Sequence, residues 1–263
     1  MHPVFLRLGP LEIRYYGLMY VIALVLGFFL VRAEARRKGL VEEGLNIEAA
    51  VDLLLVAVPL GLVMARLYYV AFQWGWYQAN PWEIPMLWRG GLAIHGGLLG
   101  GTLGLWIFCR WKRLPLWKTA DTVVPAVSLG QALVRMGNFL NGDAYGIPTS
   151  LPWGLEFPLD SPAGQAYPGQ ALHPAMLYEM VGNLLIFALL WRLRKKPSQA
   201  GFLTAVYFIS YSLIRFSNEF VRGDALMLGP IRGAQLASVL LIVGFGLWMW
   251  RRRLWKPRDE VTG

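Results

Sequence analysis

Seven apolar runs, each near the thickness of a bilayer, constrain this chain more than any other feature. They fall at roughly 15–32, 49–71, 91–109, 119–136, 175–191, 201–221 and 234–250. A segment crossing about 30 Å of hydrocarbon needs about 20 mostly apolar residues. Composition agrees: 56% of the residues are hydrophobic and 16% charged, where soluble domains carry about a quarter charged residues. The expected fold is an all-α integral membrane protein with about seven transmembrane helices, a single transmembrane domain over residues 1–263. The first run is read as a retained span. A signal peptide would have a basic stretch before it and a small-residue cleavage site after it, whereas here the basic cluster follows.

A net charge of +9 raises the question of nucleic acid, but its distribution argues against such a partner. Arg32, Arg36, Arg37 and Lys38 follow the first run; Arg110, Lys112, Arg113 and Lys118 the third; Arg192, Arg194, Lys195 and Lys196 the fifth; Arg251, Arg252, Arg253, Lys256 and Arg258 the seventh. Basic residues mark cytoplasmic loops, so the pattern places the N-terminus outside and the C-terminus inside. Between Arg135 and Arg192 there is neither Lys nor Arg, which fits an outer segment. The basic loops also attract anionic membrane lipids. The one cysteine, Cys109, allows no intrachain disulfide and reads as a small buried hydrophobe.

Two outer segments stand out. Residues 72–90, FQWGWYQANPWEIPMLWRG, hold four tryptophans and read as an interfacial loop lying on the membrane. Residues 147–174 are punctuated by Pro148, Pro152, Pro158, Pro162, Pro168 and Pro174. That length fits a small outer head loop gating access to the membrane and equally an ordered surface loop.

Charges inside a membrane cost about 2.5–3.5 kcal/mol each on insertion scales and so mark function. Arg66, Arg135 and Arg215 fall within or at the ends of spans and call for anionic partners or a wet cavity. In the sixth run Tyr211, Arg215, Glu219 and Arg222 are spaced to share one helix face. That face serves either as an interhelical salt-bridge ladder or as an anion site in which Glu219 orients one arginine while another grips a phosphate. In the fourth run Gln131, Arg135 and Asn138 form a second polar face, which breaks into Asn141-Gly142-Asp143 and ends at Gly146. His95 lies in GGLAIHGGLLGG, where overlapping GxxxG spacings indicate tight helix packing. The other histidines are His2 and His173, the latter followed by Glu179; this scatter makes no metal site. No GxSxG, P-loop or GxGxxG occurs. The inventory is cationic and hydrogen-bonding, and suits a phosphate with lipid tails.

Five stretches carry a resemblance: IRYYGLMY (13–20), GGLAIHGG (90–97), RMGNFLNGDAYG (135–146), HPAMLYE (173–179) and YSLIRFSNEFVR (211–222). In this order they resemble segments of the bacterial phosphatidylglycerol–prolipoprotein diacylglyceryl transferases, and the resemblance covers nearly the whole chain. It implies a seven-span enzyme of the bacterial cytoplasmic (inner) membrane with its active site toward the outer half. Such an enzyme moves the diacylglyceryl group of phosphatidylglycerol to the lipobox cysteine of a prolipoprotein signal peptide. A thioether forms and glycerol 1-phosphate leaves, the first step of lipoprotein maturation. The family's essential residues match Tyr16, His95, Arg135, Asn138, Gly146 and Arg215, with Tyr211, Glu219 and Arg222 also important. Asn141 and Asp143 join the headgroup set, although Asp143 stands where the family often has Glu.

The implied division of labour has His95 as base toward the thiol, given an ordinary pKa near 6.5, with an arginine-polarised water as the other candidate. Arg135 and Arg215 clamp the departing phosphate, Asn138 and Tyr16 hydrogen-bond the headgroup or leaving oxygen, and Glu219 orients Arg215 or Arg222. No metal, nucleotide or other cofactor is required. Two readings of a different class are a lipid-flipping transporter, for which no inverted repeat is found, and a scaffold whose polar faces only join helices.

Overall fold

A computed structural model describes residues 4–8, 11–87, 90–224, 227–228 and 231–257. Among them, seven helices have 18 or more residues: α1 (Tyr15–Arg37), α2 (Ile47–Phe72), α4 (Ile94–Lys112), α5 (Leu116–Asn141), α7 (Ala175–Leu193), α8 (Phe202–Glu219) and α9 (Gly233–Arg252). Each overlaps one apolar run. Five of them, α1, α2, α5, α7 and α9, are long and apolar enough to cross a membrane. The helix α4 is diluted by glycines and α8 by the polar residues discussed below. The chain is a multi-pass membrane protein.

Helix ends follow local chemistry. Asn46 caps α2, its side chain accepting from the Ala49 amide at 2.9 Å. Arg113 closes α4 in the left-handed region (φ 56°), just before Pro115. Pro174 precedes α7, and Gly201 at φ 100° precedes α8. The last turns of α1, α4, α7 and α9 carry Arg or Lys, where cations complement the helix dipole.

The chain is mostly helical, in keeping with the all-α expectation, and carries two short hairpins besides. Strands β1 (Val4–Leu8) and β2 (Leu11–Arg14) pair antiparallel, as do β3 (Met227–Leu228) and β4 (Ile231–Arg232). The strands of the first hairpin, VFLRL and LEIR, have five and four residues, which a search for long apolar runs passes over.

Two compact units are described separately. Residues 31–122 form one. Here α2 and α4 meet along glycines: a Cβ at Gly96 or Gly100 would come within 2.3 Å of the Met64 or Leu60 carbonyl oxygen, and one at Gly104 within 2.7 Å of Ala57 Cα. Glycines at a spacing of four thus bring backbone against backbone. The Ala93 amide donates to the Ala65 carbonyl at 3.1 Å, and Lys112 pairs with Asp52 at 2.7 Å. The Trp-rich segment forms a short helix α3 (Trp74–Tyr77) and a 3-10 turn at Pro81–Glu83. Trp74, Trp76 and Trp82 are exposed.

Buried Arg66 of α2 holds this segment. Its Nε donates to Ile84 O at 2.9 Å, Nη1 to Gly90 O at 2.6 Å and Gly91 O at 3.3 Å, and Nη2 to Glu83 O at 2.5 Å. The expectation of an anion or a wet cavity is therefore not met at Arg66, because backbone carbonyls use all three nitrogens.

The other unit comprises residues up to 30 and from 123 onward. Its α7 and α8 approach closely at Gly182, where a Cβ would meet Ile214 at 2.7 Å; α8 and α9 stack Phe208 on Phe245 at 4.5 Å. Residues 147–174 contain the short helix α6 (Pro162–Ala166) and bridges Pro148–Leu172 and Leu155–Leu172. Phe157, Ala163 and Leu172 from this segment pack with Ala144 and Met176 in a small apolar core.

Candidate active site

Helices α5, α7 and α8 face one another across a polar seam. At one level Ser128 donates to Asn183 O at 2.8 Å and Tyr207 to Gln131 at 2.9 Å. One to two turns further along, the seam becomes charged. Arg135 of α5 pairs with Glu179 of α7. Arg215 of α8 reaches the same carboxylate at 3.2 Å, and Arg222, just past the end of α8, reaches it at 3.3 Å. Asn218 adds a fourth donor at 2.9 Å. Glu179 is 1% exposed, and burial of any one of these charges without the others would be costly.

Each arginine also has a second restraint. Arg215 pairs with Glu219 one turn along α8 at 2.6 Å. Arg222 pairs with Asp224 at 2.7 Å. Arg135 donates to Asn138 Oδ1 at 3.0 Å, and Asn138 donates in turn to Asp143 at 3.0 Å. Asn141 also hydrogen-bonds Asp143. Burial raises the Asp143 carboxyl above the usual carboxylate range, while the bonds from Asn141 and Asn138 pull it back down.

Some donors remain open. The Nε atoms of Arg215 and Arg222 and the hydroxyl of Tyr211 are buried without a hydrogen-bond partner among the described residues. Tyr211 stacks on Tyr207 at 5.9 Å. Buried donors of this kind are uncommon in folded proteins and call for a ligand or water. The open guanidinium donors can take oxygens of an anion, and the oxygens of Glu179, Glu219 and Asp143 in the same seam that lack a hydrogen bond among the described residues can take donors.

The turn after α5 is fastened to both neighbouring segments. Gly146 donates to His173 O at 3.0 Å and forms a bridge with Arg222. A Cβ there would lie 2.5 Å from His173 O and 2.7 Å from Val221 O, so any side chain would pry apart the bridged segments that place Arg222. Tyr16 sits at the start of α1, its Cα 3.2 Å from where a Gly137 Cβ would be. Its hydroxyl meets that of Tyr20 at 3.2 Å.

The chain matches the prolipoprotein diacylglyceryl transferase family over residues 3–251. It belongs to that family. Among its relatives is a phosphatidylglycerol–prolipoprotein diacylglyceryl transferase of Synechococcus elongatus, 43% identical over 93% of this chain and 85% of that protein. Proteins of the same name from Geobacillus kaustophilus (44% identical, 95% of this chain, 92% of that one) and a Nostoc species (41%, 99% and 93%) are similar along their length.

For this family member, the structure gathers Arg135, Asn138, Asn141, Asp143, Tyr211, Arg215, Glu219 and Arg222 along one seam, with Gly146 bracing it and Tyr16 beside α5. His95 belongs to the other unit, in the first turn of α4, its ring stacked on Tyr68 at 5.9 Å. Two details differ from the helical-face reading. The helix α8 ends at Glu219, so Arg222 joins the seam through its bridge to Gly146. And the carboxylate on Arg222 in the seam is Glu179, with Glu219 on Arg215. Glu179 is the residue that spacing arguments undervalued. Its signal was an acid inside an apolar run that has no basic residue of its own, which implies a cation from another helix.

Proposed function

We propose that this chain transfers the diacylglyceryl group of phosphatidylglycerol to the lipobox cysteine of prolipoproteins, forming a thioether and releasing glycerol 1-phosphate. The observation that supports this reading best is the convergence of Arg135, Arg215 and Arg222 on Glu179, with guanidinium donors left open beside it. It is a site for phosphate, within a chain whose helices are built for lipid. The relatives carry the name of this activity.

In the proposed reaction the peptide thiol loses its proton to His95, because the thiolate is the reactive form. Sulfur bonds to the glycerol carbon of the diacylglyceryl unit as the bond from that carbon to the phosphate oxygen breaks. The electron pair leaves with glycerol phosphate, and the charge gained there is held by Arg135 and Arg215 in a low-dielectric setting. Asn138 and Tyr16 hydrogen-bond the headgroup or leaving oxygen, and Tyr211 adds its free hydroxyl. Asn141 and Asp143 fix Asn138, and Gly146 fixes Arg222. The chemistry asks for no metal or nucleotide.

The seven long helices are taken as seven spans of the bacterial inner membrane, N-terminus outside and C-terminus inside, with the site toward the outer half. On this topology residues 72–90 lie at the outer interface and residues 147–174 form a head loop over the seam. The test is purified protein with phosphatidylglycerol and a short lipobox peptide. Glycerol phosphate release matched by a peptide heavier by one diacylglyceryl group supports the proposal; well-folded protein that releases none rejects it.

A further inference from the structure

We propose that Glu179 is a positioning residue that keeps the three arginines engaged before substrate arrives, so that the substrate phosphodiester is held weakly and the phosphate of the leaving group strongly. This rests on the function proposed above and concerns how the same site divides its binding between ground state and transition state.

A carboxylate offers about four lone-pair positions. Glu179 receives Arg215, Arg222 and Asn218 on Oε1 and faces Arg135 with Oε2. The four donors come from α5, from α8 and from the turn behind it, so no single helix arranges this convergence. Glu219 differs: it takes Arg215 from its own helix, one turn away. It sets a rotamer, whereas Glu179 gathers separate elements around one negative charge.

That charge has a consequence for catalysis. Without Glu179, only Glu219 and Asp224 among the described residues would balance the three guanidiniums, and the surplus positive charge would grip the first phosphate to arrive. Binding of that kind lowers the energy of the bound substrate as much as that of the transition state, and gains nothing in turnover. With Glu179 in place, a phosphodiester carrying one negative charge must compete for the guanidinium donors that face the carboxylate, while the Nε atoms of Arg215 and Arg222 stand open beside it. When the carbon–oxygen bond breaks, the phosphate becomes a monoester carrying about −1.5 to −2 charges at neutral pH. Only then does it outcompete the carboxylate for the arginines. The stabilisation therefore arrives with the charge.

The variant is Glu179→Gln, which keeps size and the acceptor toward Asn218 while removing the charge. The readouts are kcat and KM for phosphatidylglycerol, and the inhibition constant of added glycerol 1-phosphate. The expected result is a split: kcat falls by about tenfold or more while glycerol phosphate binds about tenfold tighter, in keeping with one buried charge removed from among cations. Glu179→Asp, which retains the charge on a shorter arm, is expected to lose part of kcat and keep the wild-type inhibition constant. The proposal is overturned if glycerol phosphate binds Glu179→Gln no tighter than wild type, or if Glu179→Asp tightens it equally. It is also overturned if Glu179→Gln fails to fold where Glu179→Asp folds, since the carboxylate would then serve the bundle. Wild-type protein inactive in the same assay rejects the proposed function itself, a separate outcome.

Discussion

Arg66 and Arg215 are both buried cations in apolar helices, and they are satisfied in opposite ways. Every nitrogen of Arg66 donates to a backbone carbonyl of the loop it holds. Arg215 leans on two carboxylates and leaves Nε open. Carbonyls bring no charge and cannot be exchanged without unfolding the loop, so Arg66 is a fastening. Carboxylates can be traded for another anion, which is why Arg215 and its companions are proposed as the site. A buried arginine is thus sorted by what its donors meet and by whether any remain free.

The comparison is tested most severely at Arg135. Arg135→Ala is expected to cost at least about a hundredfold in kcat, the scale of a lost transition-state donor, with thermal unfolding still cooperative. Arg135→Lys is also expected to be poor, because an ammonium lacks the two-pronged fork. Full activity in Arg135→Ala breaks the distinction outright.

Arg66→Ala is expected to act on stability. It strands carbonyls at about 1–3 kcal/mol each, so a loss of at least about 3 kcal/mol should appear as a fall in melting temperature. A variant with wild-type melting but no turnover would move Arg66 into the chemistry.

His95→Gln sharpens the picture in the other unit. A general base contributes about a hundredfold or more, so turnover should drop on that scale while phosphatidylglycerol binding is retained. Unchanged turnover transfers the proton to another acceptor.

The smallest effect is expected at Asp143. Its carboxyl is raised by burial, so the fold favours the protonated form. That contribution to stability is complete below the ordinary carboxylate pKa near 3.9 and is lost as pH rises through the raised value. Asp143→Asn should therefore leave neutral-pH stability level or slightly higher. It should also flatten any acid limb of activity that lies above the ordinary carboxylate range. A limb that stays in place in Asp143→Asn assigns it to another group.

Much of this was legible in the residues. The seven apolar runs overlap seven long helices because hydropathy over bilayer length is a strong, local signal. The faces of Gln131, Arg135 and Asn138, and of Tyr211, Arg215 and Glu219, were readable for the same reason: helical spacing alone decides which side chains align. What spacing cannot decide is which helix stands opposite. Glu179 showed as an isolated acid, but its three arginine partners come from elements far along the chain. Arg222 sat in register with the α8 face, yet a bridge to Gly146 places it. The carbonyl cage around Arg66 left no trace, since backbone oxygens have no letter in a sequence. The β1–β2 hairpin was short enough to be missed beside the long runs.

The pairing of Arg135 with Glu179 also bears on biogenesis. Ribosomes make α5 before α7, so the cation enters the insertion machinery ahead of its counter-ion. A lone arginine costs about 2.5–3.5 kcal/mol at the centre of a span and less toward its ends, and α5 released early would sit in lipid with its share of that debt uncancelled. Nascent chains truncated before α7 are expected to insert α5 inefficiently, and chains extended through Glu179 to insert it well, as read by glycosylation or protease mapping. On that outcome helix α5 would wait at the translocon for the segment that neutralises it.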